Sequence, residues 1–270
     1  MGNPKVILSF LVVCLALSCT SNDKNKKQTS LKGSRIEILS NEVAQYPDSA
    51  ILVQKLIEAY REQGNYDSAI AVAKRSIVTD TSNAYLFNIL ATLYFENTDT
   101  VNAIHALQKA IEIYPLPEYY VALGTVYAEM KNKDALMIAD LLLKNPGEKN
   151  HDDAYFIKGM FYNYAGSPQN AIKELDSCLD LNYTYMYAYR EKAIALSALN
   201  KNDLALKALK RAVTLQNNYD EGYYYMGKIY EKLHQNDSAM QSYQNALLYD
   251  NNYSEAKEAL DSLQNIKSKQ

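Results

Sequence analysis

"EQGNYDSAIAVAKRSI", residues 62–77, has two echoes further along the chain. "YNYAGSPQNAIKELDSCL" (162–179) and "EKLHQNDSAMQSYQNALL" (231–248) are built on the same skeleton of a turn, an alanine, and a small residue seven positions on. Aligned on that alanine, the chain gives Ala69, Ala103, Ala171, Ala205 and Ala239, separated by 34, 68, 34 and 34 residues. A fixed period of this length marks an array of helical repeats. Twelve places before each alanine stand Ile57, Ala91, Gly159, Ala193 and Gly227, and seven places after it Ser76, Ala110, Cys178, Ala212 and Ala246. Nine before it comes a bulky residue: Tyr60, Tyr94, Tyr162, Leu196 or Tyr230.

The residue types follow from packing. A short helix pair cannot bury its apolar stripe alone, so copies stack. Where two helices touch, Gly, Ala or Ser lets the backbones approach, and the bulky positions fill the space around that contact. Gly64-Asn65, Gly166-Ser167-Pro168 and Gln235-Asn236-Asp237 mark the turn inside each pair. The stretches "DTSN", "NYTY" and "DNNY" end the second helix and offer Asp and Asn for turns and for the next N-cap.

On these residues the chain resembles the tetratricopeptide repeat family, over about three quarters of its length. The resemblance implies an all-α fold, a right-handed α-solenoid of about six helix-turn-helix repeats. We place the repeats at 50–83, 84–116, 117–151, 152–185, 186–219 and 220–253, inside a solenoid of 34–267. The third is irregular: Gly124 and Tyr127 keep the pattern, but Ala135 falls one position early, and "DALMIADLLLKNPG" (134–147) is unusually apolar before Pro146-Gly147. Helices at 34–47, with Ile36, Leu39 and Val43 on one face, and at 254–267, with Ala256, Leu260 and Leu263 inward, are expected to cap the two ends.

The first residues read as an address. Lys5 precedes "VILSFLVVCLAL" (6–17), too short for a permanent membrane span and suited to a signal peptide of residues 1–18. Ala16-Leu17-Ser18-Cys19 resembles a bacterial lipobox, which implies acylation of Cys19. An ordinary signal peptidase reading of the same bond stays open. Residue 20 is Thr rather than Asp, so the resemblance implies an outer-membrane lipoprotein facing the periplasm or the cell surface. "TSNDKNKKQTS" (20–30) has no apolar residue, and 19–33 is expected to be a flexible tether. Only Cys178 then remains in the folded part, so no intramolecular disulfide is available there.

Composition excludes several classes. With 48% hydrophobic and 22% charged residues the chain is ordinary folded protein, and few Gly and Pro favour long elements. A formal net charge of -3 makes no electrostatic case for nucleic acid, and the tyrosines of "EGYYYMGKIY" (221–230) are not read as a base-stacking platform. His105, His151 and His234 are scattered, with no metal-ligand spacing, phosphate loop or nucleophile motif nearby. Cys178 sits at a packing position, and Asp152-Asp153 at a helix start. No enzyme activity, cofactor or metal is expected.

Binding remains. The resemblance implies that the second, fifth, ninth and twelfth residues of each repeat face a groove formed by the first helices. That assigns Tyr85, Asn88, Thr92 and Phe95 in the second repeat, and Phe156, Met160 and Asn163 in the fourth. It assigns Tyr187, Arg190 and Ile194 in the fifth, and Tyr224 and Lys228 in the sixth. Tyr and Arg are frequent anchors in protein interfaces. A clamp for a C-terminal carboxylate is not supported, because the first repeat offers Gln54 and Glu58. The expected function is an envelope-anchored scaffold or adaptor that holds a protein or peptide partner, touching the membrane through its lipid only, with a homodimer possible. Alternatives are an assembly chaperone or pilotin for an outer-membrane complex, and a regulatory adaptor of cell-wall hydrolases. Alanine at both Arg190 and Tyr224 is expected to weaken capture while leaving the melting temperature nearly unchanged.

Overall fold

The structure, a computed structural model, describes residues 25–144 and 149–267. These residues hold fourteen α-helices and no strand. The segment read as a signal peptide (1–18), Cys19 and Pro146-Gly147 lie outside the described residues. None of the described helices is long and apolar enough to cross a membrane. The chain divides into two compact units, the first ending at Tyr120 and the second beginning at Val121.

In the first unit, α1 (Asn25–Gln45) is followed by α2 (Ala50–Glu62), α3 (Tyr66–Thr79), α4 (Ala84–Glu96) and α5 (Thr100–Ile113), and by the start of α6 (Pro117–Glu129). Each helix from α1 to α5 packs on the next. Leu39 of α1, flanked by Ile36 and Val43, covers Leu56 and Ala59 of α2. The helix starts at Asn25, before residue 34 where the first capping helix is expected to begin. Lys, Gln and Leu are good helix formers, and no proline interrupts them before Pro47.

The second unit continues through α7 (Asp134–Leu143), α8 (His151–Tyr164), α9 (Pro168–Leu181), α10 (Met186–Ala198), α11 (Asn202–Leu215), α12 (Asp220–Lys232), α13 (Asn236–Tyr249) and α14 (Ser254–Lys267). From α7 to α14 each helix packs on its successor, and the first helices of successive pairs also touch, α8 on α10 and α10 on α12. This is the stacking an all-α solenoid requires. Ala171, Ala205 and Ala239 are wholly buried, as are Cys178, Ala212 and Ala246. A methyl on Gly159 would lie 2.5 Å from Leu175 Cγ, so the helices α8 and α9 meet with no room for a side chain there.

The turn inside each pair has one geometry throughout. Gly64, Thr98, Lys131, Gly166, Asn200 and His234 all have positive φ, between 57° and 75°. The next residue donates its amide to a carbonyl five places back: Asn65 to Tyr60, Asp99 to Tyr94, Asn132 to Tyr127, Ser167 to Tyr162, Lys201 to Leu196 and Gln235 to Tyr230. That is the Schellman closure of a helix C-terminus. Only two of the six left-handed residues are glycine, which is why the turn shows so unevenly in the sequence. Between pairs, Asp80, Asn182 and Asp250 each accept the amide two residues on, from Ser82, Thr184 and Asn252. These local bonds draw Asp and Asn to that place in the repeat.

Candidate functional site

The assigned residues fall into two groups, one in each unit. In the first unit, Tyr85 of α4 is about half exposed, at 51%. Asn88 is buried, and among the described residues its Oδ1 has no hydrogen-bond partner. Thr92, half-buried, donates its hydroxyl to the Asn88 carbonyl at 3.1 Å, and Phe95 is half-buried one turn further on. Across this unit Arg61 of α2 reaches Glu96 of α4, with its Nε 2.6 Å from Oε2. The hydrogen bond that Arg61 donates to Glu96 is the largest influence on the guanidinium and raises it above its ordinary value.

The second unit carries more chemistry. Phe156 and Met160 of α8 lie in the core, Met160 without any exposed surface, and Phe156 packs on the Tyr185 ring with centroids 4.9 Å apart. They are interior residues, because α10 packs directly over this face of α8. Arg190 of α10 is 2% exposed. Its Nη1 donates to Glu221 Oε2 of α12 at 2.6 Å, and its Nη2 and Nε donate to Glu191 Oε1 at 3.0 and 3.2 Å. Asn163 of α8 donates to the other oxygen of Glu191 at 3.0 Å and to the Glu191 carbonyl at 2.9 Å. The Tyr219 hydroxyl donates to Glu221 at 3.2 Å, and the guanidinium lies 5.2 Å from the centre of the Tyr187 ring.

Three successive first helices are thereby joined through one cation and two carboxylates. Burial works against the Arg190 charge, but Glu221 and Glu191 more than offset it and hold the guanidinium protonated. The expectation that Arg190 is a surface anchor, removable without loss of stability, is therefore corrected: it ties α10 to α12 and sets the frame. Tyr187, Ile194 and Tyr224 remain half-buried along the same stripe, with Lys228 exposed. These are the assigned residues of this unit that keep surface for a partner, together with the outer part of Asn163.

Glu129, Tyr164, Glu191, Glu221, Tyr225 and Tyr253 belong to this region and were not singled out from sequence. Burial pushes the Glu129 carboxyl up to about 8, with Arg190 opposing and Glu191 reinforcing the shift. Its Oε1 is buried without a hydrogen-bond partner among the described residues. A signal for Glu129 does exist in the repeat register. The thirteenth residue of the second repeat is Glu96 and of the third Glu129, whereas the twelfth is Arg61 in the first repeat and Phe95 in the second. The acid recurs and the base does not.

Glu129 makes stability depend on pH. Its folded value lies above the ordinary 4.5. Its contribution is therefore fully present below that ordinary value and is lost as pH rises through the folded one. Glu129→Gln, which cannot ionise, should flatten the stability profile between roughly pH 5 and pH 8 and should melt higher than the parent at roughly pH 9. Urea titrations across that range check it. Parallel profiles for parent and variant would mean that Glu129 titrates alike in both states.

Burial raises the Cys178 thiol far above its ordinary value, which disfavours the thiolate a nucleophile needs. Among the described residues no group of three or more His, Cys, Asp or Glu is placed to hold a metal. His105 is exposed on α5, His151 opens α8, and His234 occupies a left-handed turn. The chemistry this arrangement offers is rings, amides and paired charges on a fixed helical stripe.

Such a stripe on stacked helix pairs defines a scaffold for protein interaction. Tetratricopeptide repeat patterns match residues 55–116 and 220–253. Those two stretches are tetratricopeptide repeats, and proteins built of such repeats bind protein or peptide partners. Among solved structures, a tetratricopeptide repeat protein from Parabacteroides merdae is similar at 18% identity and a TM-score of 0.69, over 88% of this chain and 94% of that one. PilW, a type IV pilus biogenesis factor, is similar at 18% identity and a TM-score of 0.57, over 78% and 96%. The Cut9 and Hcn1 assembly of the APC/C is similar at 16% identity and a TM-score of 0.55, over 87% of this chain but 46% of that one. At these identities the likeness is one of fold. No curated protein matches the sequence.

Proposed function

We propose that this protein is an envelope-anchored scaffold that holds a protein or peptide partner along the first-helix stripe of its second unit, and that it has no catalytic role. The observation that carries this is the tying of α8, α10 and α12 by Arg190, Glu191, Glu221 and Asn163 beneath half-exposed Tyr187 and Tyr224. A face fixed in advance loses little conformational freedom on binding, and large stiff rings are efficient anchors. The lipobox resemblance at Cys19 supports anchoring at the outer membrane.

A photo-crosslinking amino acid at Tyr187, with one at exposed Leu204 of α11 as control, tests the site in whole cells. A discrete adduct from position 187 alone is expected. Adducts of equal yield from both positions, or none, reject the stripe as the binding face. Cys19→Ala should move the protein from the membrane to the soluble fraction, and retention on the membrane would reject lipid anchoring. The likeness to PilW is one of fold, and the reading as an assembly factor for an outer-membrane complex rests on layout alone. Mass spectrometry of the adduct separates it from the adaptor reading, because an assembly client and a hydrolase are different proteins.

A further inference from the structure

We infer that the tyrosine and carboxylate face formed by α12 and the start of α14 takes a basic segment of the partner, one presenting an Arg or Lys side chain. This rests on the reading of the first-helix stripe as the partner site and names the chemistry of its C-terminal end. The rings come first. Tyr224 lies with its centroid 5.0 Å from Tyr253, 5.3 Å from Tyr225 in an edge-on arrangement, and 5.8 Å from Tyr243. Tyr243 is wholly buried and supports the cluster, while Tyr224, Tyr225 and Tyr253 are half-buried and keep part of their surface.

Carboxylates surround these rings. Burial and then Glu255, Glu231 and Glu258 raise the Tyr224 hydroxyl, and burial followed by Glu221 raises that of Tyr253, with Glu255 contributing. Glu231 accepts the Tyr243 hydroxyl at 2.9 Å and Glu255 accepts that of Ser254 at 2.8 Å. Among the described residues none of Glu231, Glu255 and Glu258 forms an ion pair. The cations nearby are Arg190, already committed to Glu191 and Glu221, Lys228 one turn along α12, and exposed Lys257 between Glu255 and Glu258 on α14, so three carboxylates stand against two lysines. The face therefore keeps an excess of negative charge beside aromatic surface. A cation gains from both at once, from the ring quadrupole and from the carboxylates, and a planar guanidinium also stacks on tyrosine. An acidic segment meets repulsion here, and a purely apolar one would bury the carboxylates against it without a partner.

The test is fluorescence anisotropy with the full chain in detergent and two labelled peptides of equal length, one alternating Arg and Ser, the other Glu and Ser. The basic peptide should bind, more weakly at high salt, and the acidic one should not. Glu255→Gln with Glu258→Gln, both exposed, should weaken the basic peptide by about tenfold at low salt. Tyr224→Leu should weaken it with the circular-dichroism spectrum unchanged, and Asp203→Asn, on the exposed start of α11, should have no effect. Equal binding of the two peptides, unchanged affinity in the double variant, or an equal loss with Asp203→Asn would overturn the inference. So would a dimer that forms with rising concentration and is lost in the double variant, since the occupant would then be a second copy. A crosslinked partner at Tyr187 beside a failed peptide assay removes this inference and leaves the stripe reading standing.

Discussion

Arg190→Ala is expected to destabilise this protein by about 3–5 kcal/mol, the usual consequence of leaving buried charge without its counter-charge. The arginine side chain is 3% exposed and sits between the Glu191 side chain at 4% and the Glu221 side chain at 13%. Its removal strands both carboxylates where water cannot replace the lost bonds. Asn163 would still serve one oxygen of Glu191, and Tyr219 one of Glu221, but neither supplies charge. The companion substitution distinguishes pairing from packing. Arg190→Met with Glu191→Leu and Glu221→Gln removes the ions together and should recover most of the loss, because apolar replacement of a whole buried network is often neutral. Urea denaturation of the three proteins reads the result. If Arg190→Ala melts with the parent but loses its partner, the arginine is a contact residue and the frame is held by something else.

Gly227→Ala is expected to destabilise by about 1–3 kcal/mol, the range for forcing extra volume into a packed core. In an exposed helix the same change would stabilise by roughly 1 kcal/mol. The sign reverses because the new methyl would fall on the Tyr243 ring, too close to Cε1 and 2.7 Å from Cδ1. Tyr243 cannot step aside: it is wholly buried and its hydroxyl is held by Glu231. Gly227→Ala combined with Tyr243→Leu should therefore lose less than the two single changes added together, since the smaller side chain vacates the space. Strict additivity in thermal melts would show that the glycine is not there for the ring.

That pair also marks how far the repeat could be read directly. Gly159, Ala193 and Gly227 stand at one register position, and the period alone said that two helices touch there, with small residues letting them approach. What presses differs. Leu175 meets Gly159 and Tyr243 meets Gly227, and both come from the second helix of the same pair. Of the six left-handed turns, the sequence marked those at Gly64 and Gly166 by glycine and that at His234 by the following Gln235-Asn236-Asp237, while Thr98, Lys131 and Asn200 were hidden, where the Schellman bonds impose a conformation the residue type does not advertise.

For the binding face, the register placed Tyr187, Arg190 and Tyr224 on one stripe, but not which of them would be covered. Adjacent residues do not face each other on an ideal helix, so nothing in "YREK" (189–192) suggested that Arg190 would fold back onto Glu191. The same applies to Phe156 and Met160, assigned to a surface by register and buried by the neighbouring helix.

Period, small-residue spacing and turn chemistry are local properties, and a helix pair copied along the chain obeys them wherever it sits. They determined the family, the all-α class and the course of the chain from pair to pair. Burial and charge pairing depend on which side chains arrive from the helix one repeat away, and their distance in the chain says nothing about their approach in space. Only the packed structure decided that Arg190 is a tie rather than an anchor, that Glu129 buries its Oε1 without a hydrogen-bond partner among the described residues, and that Tyr224 faces carboxylates from α14.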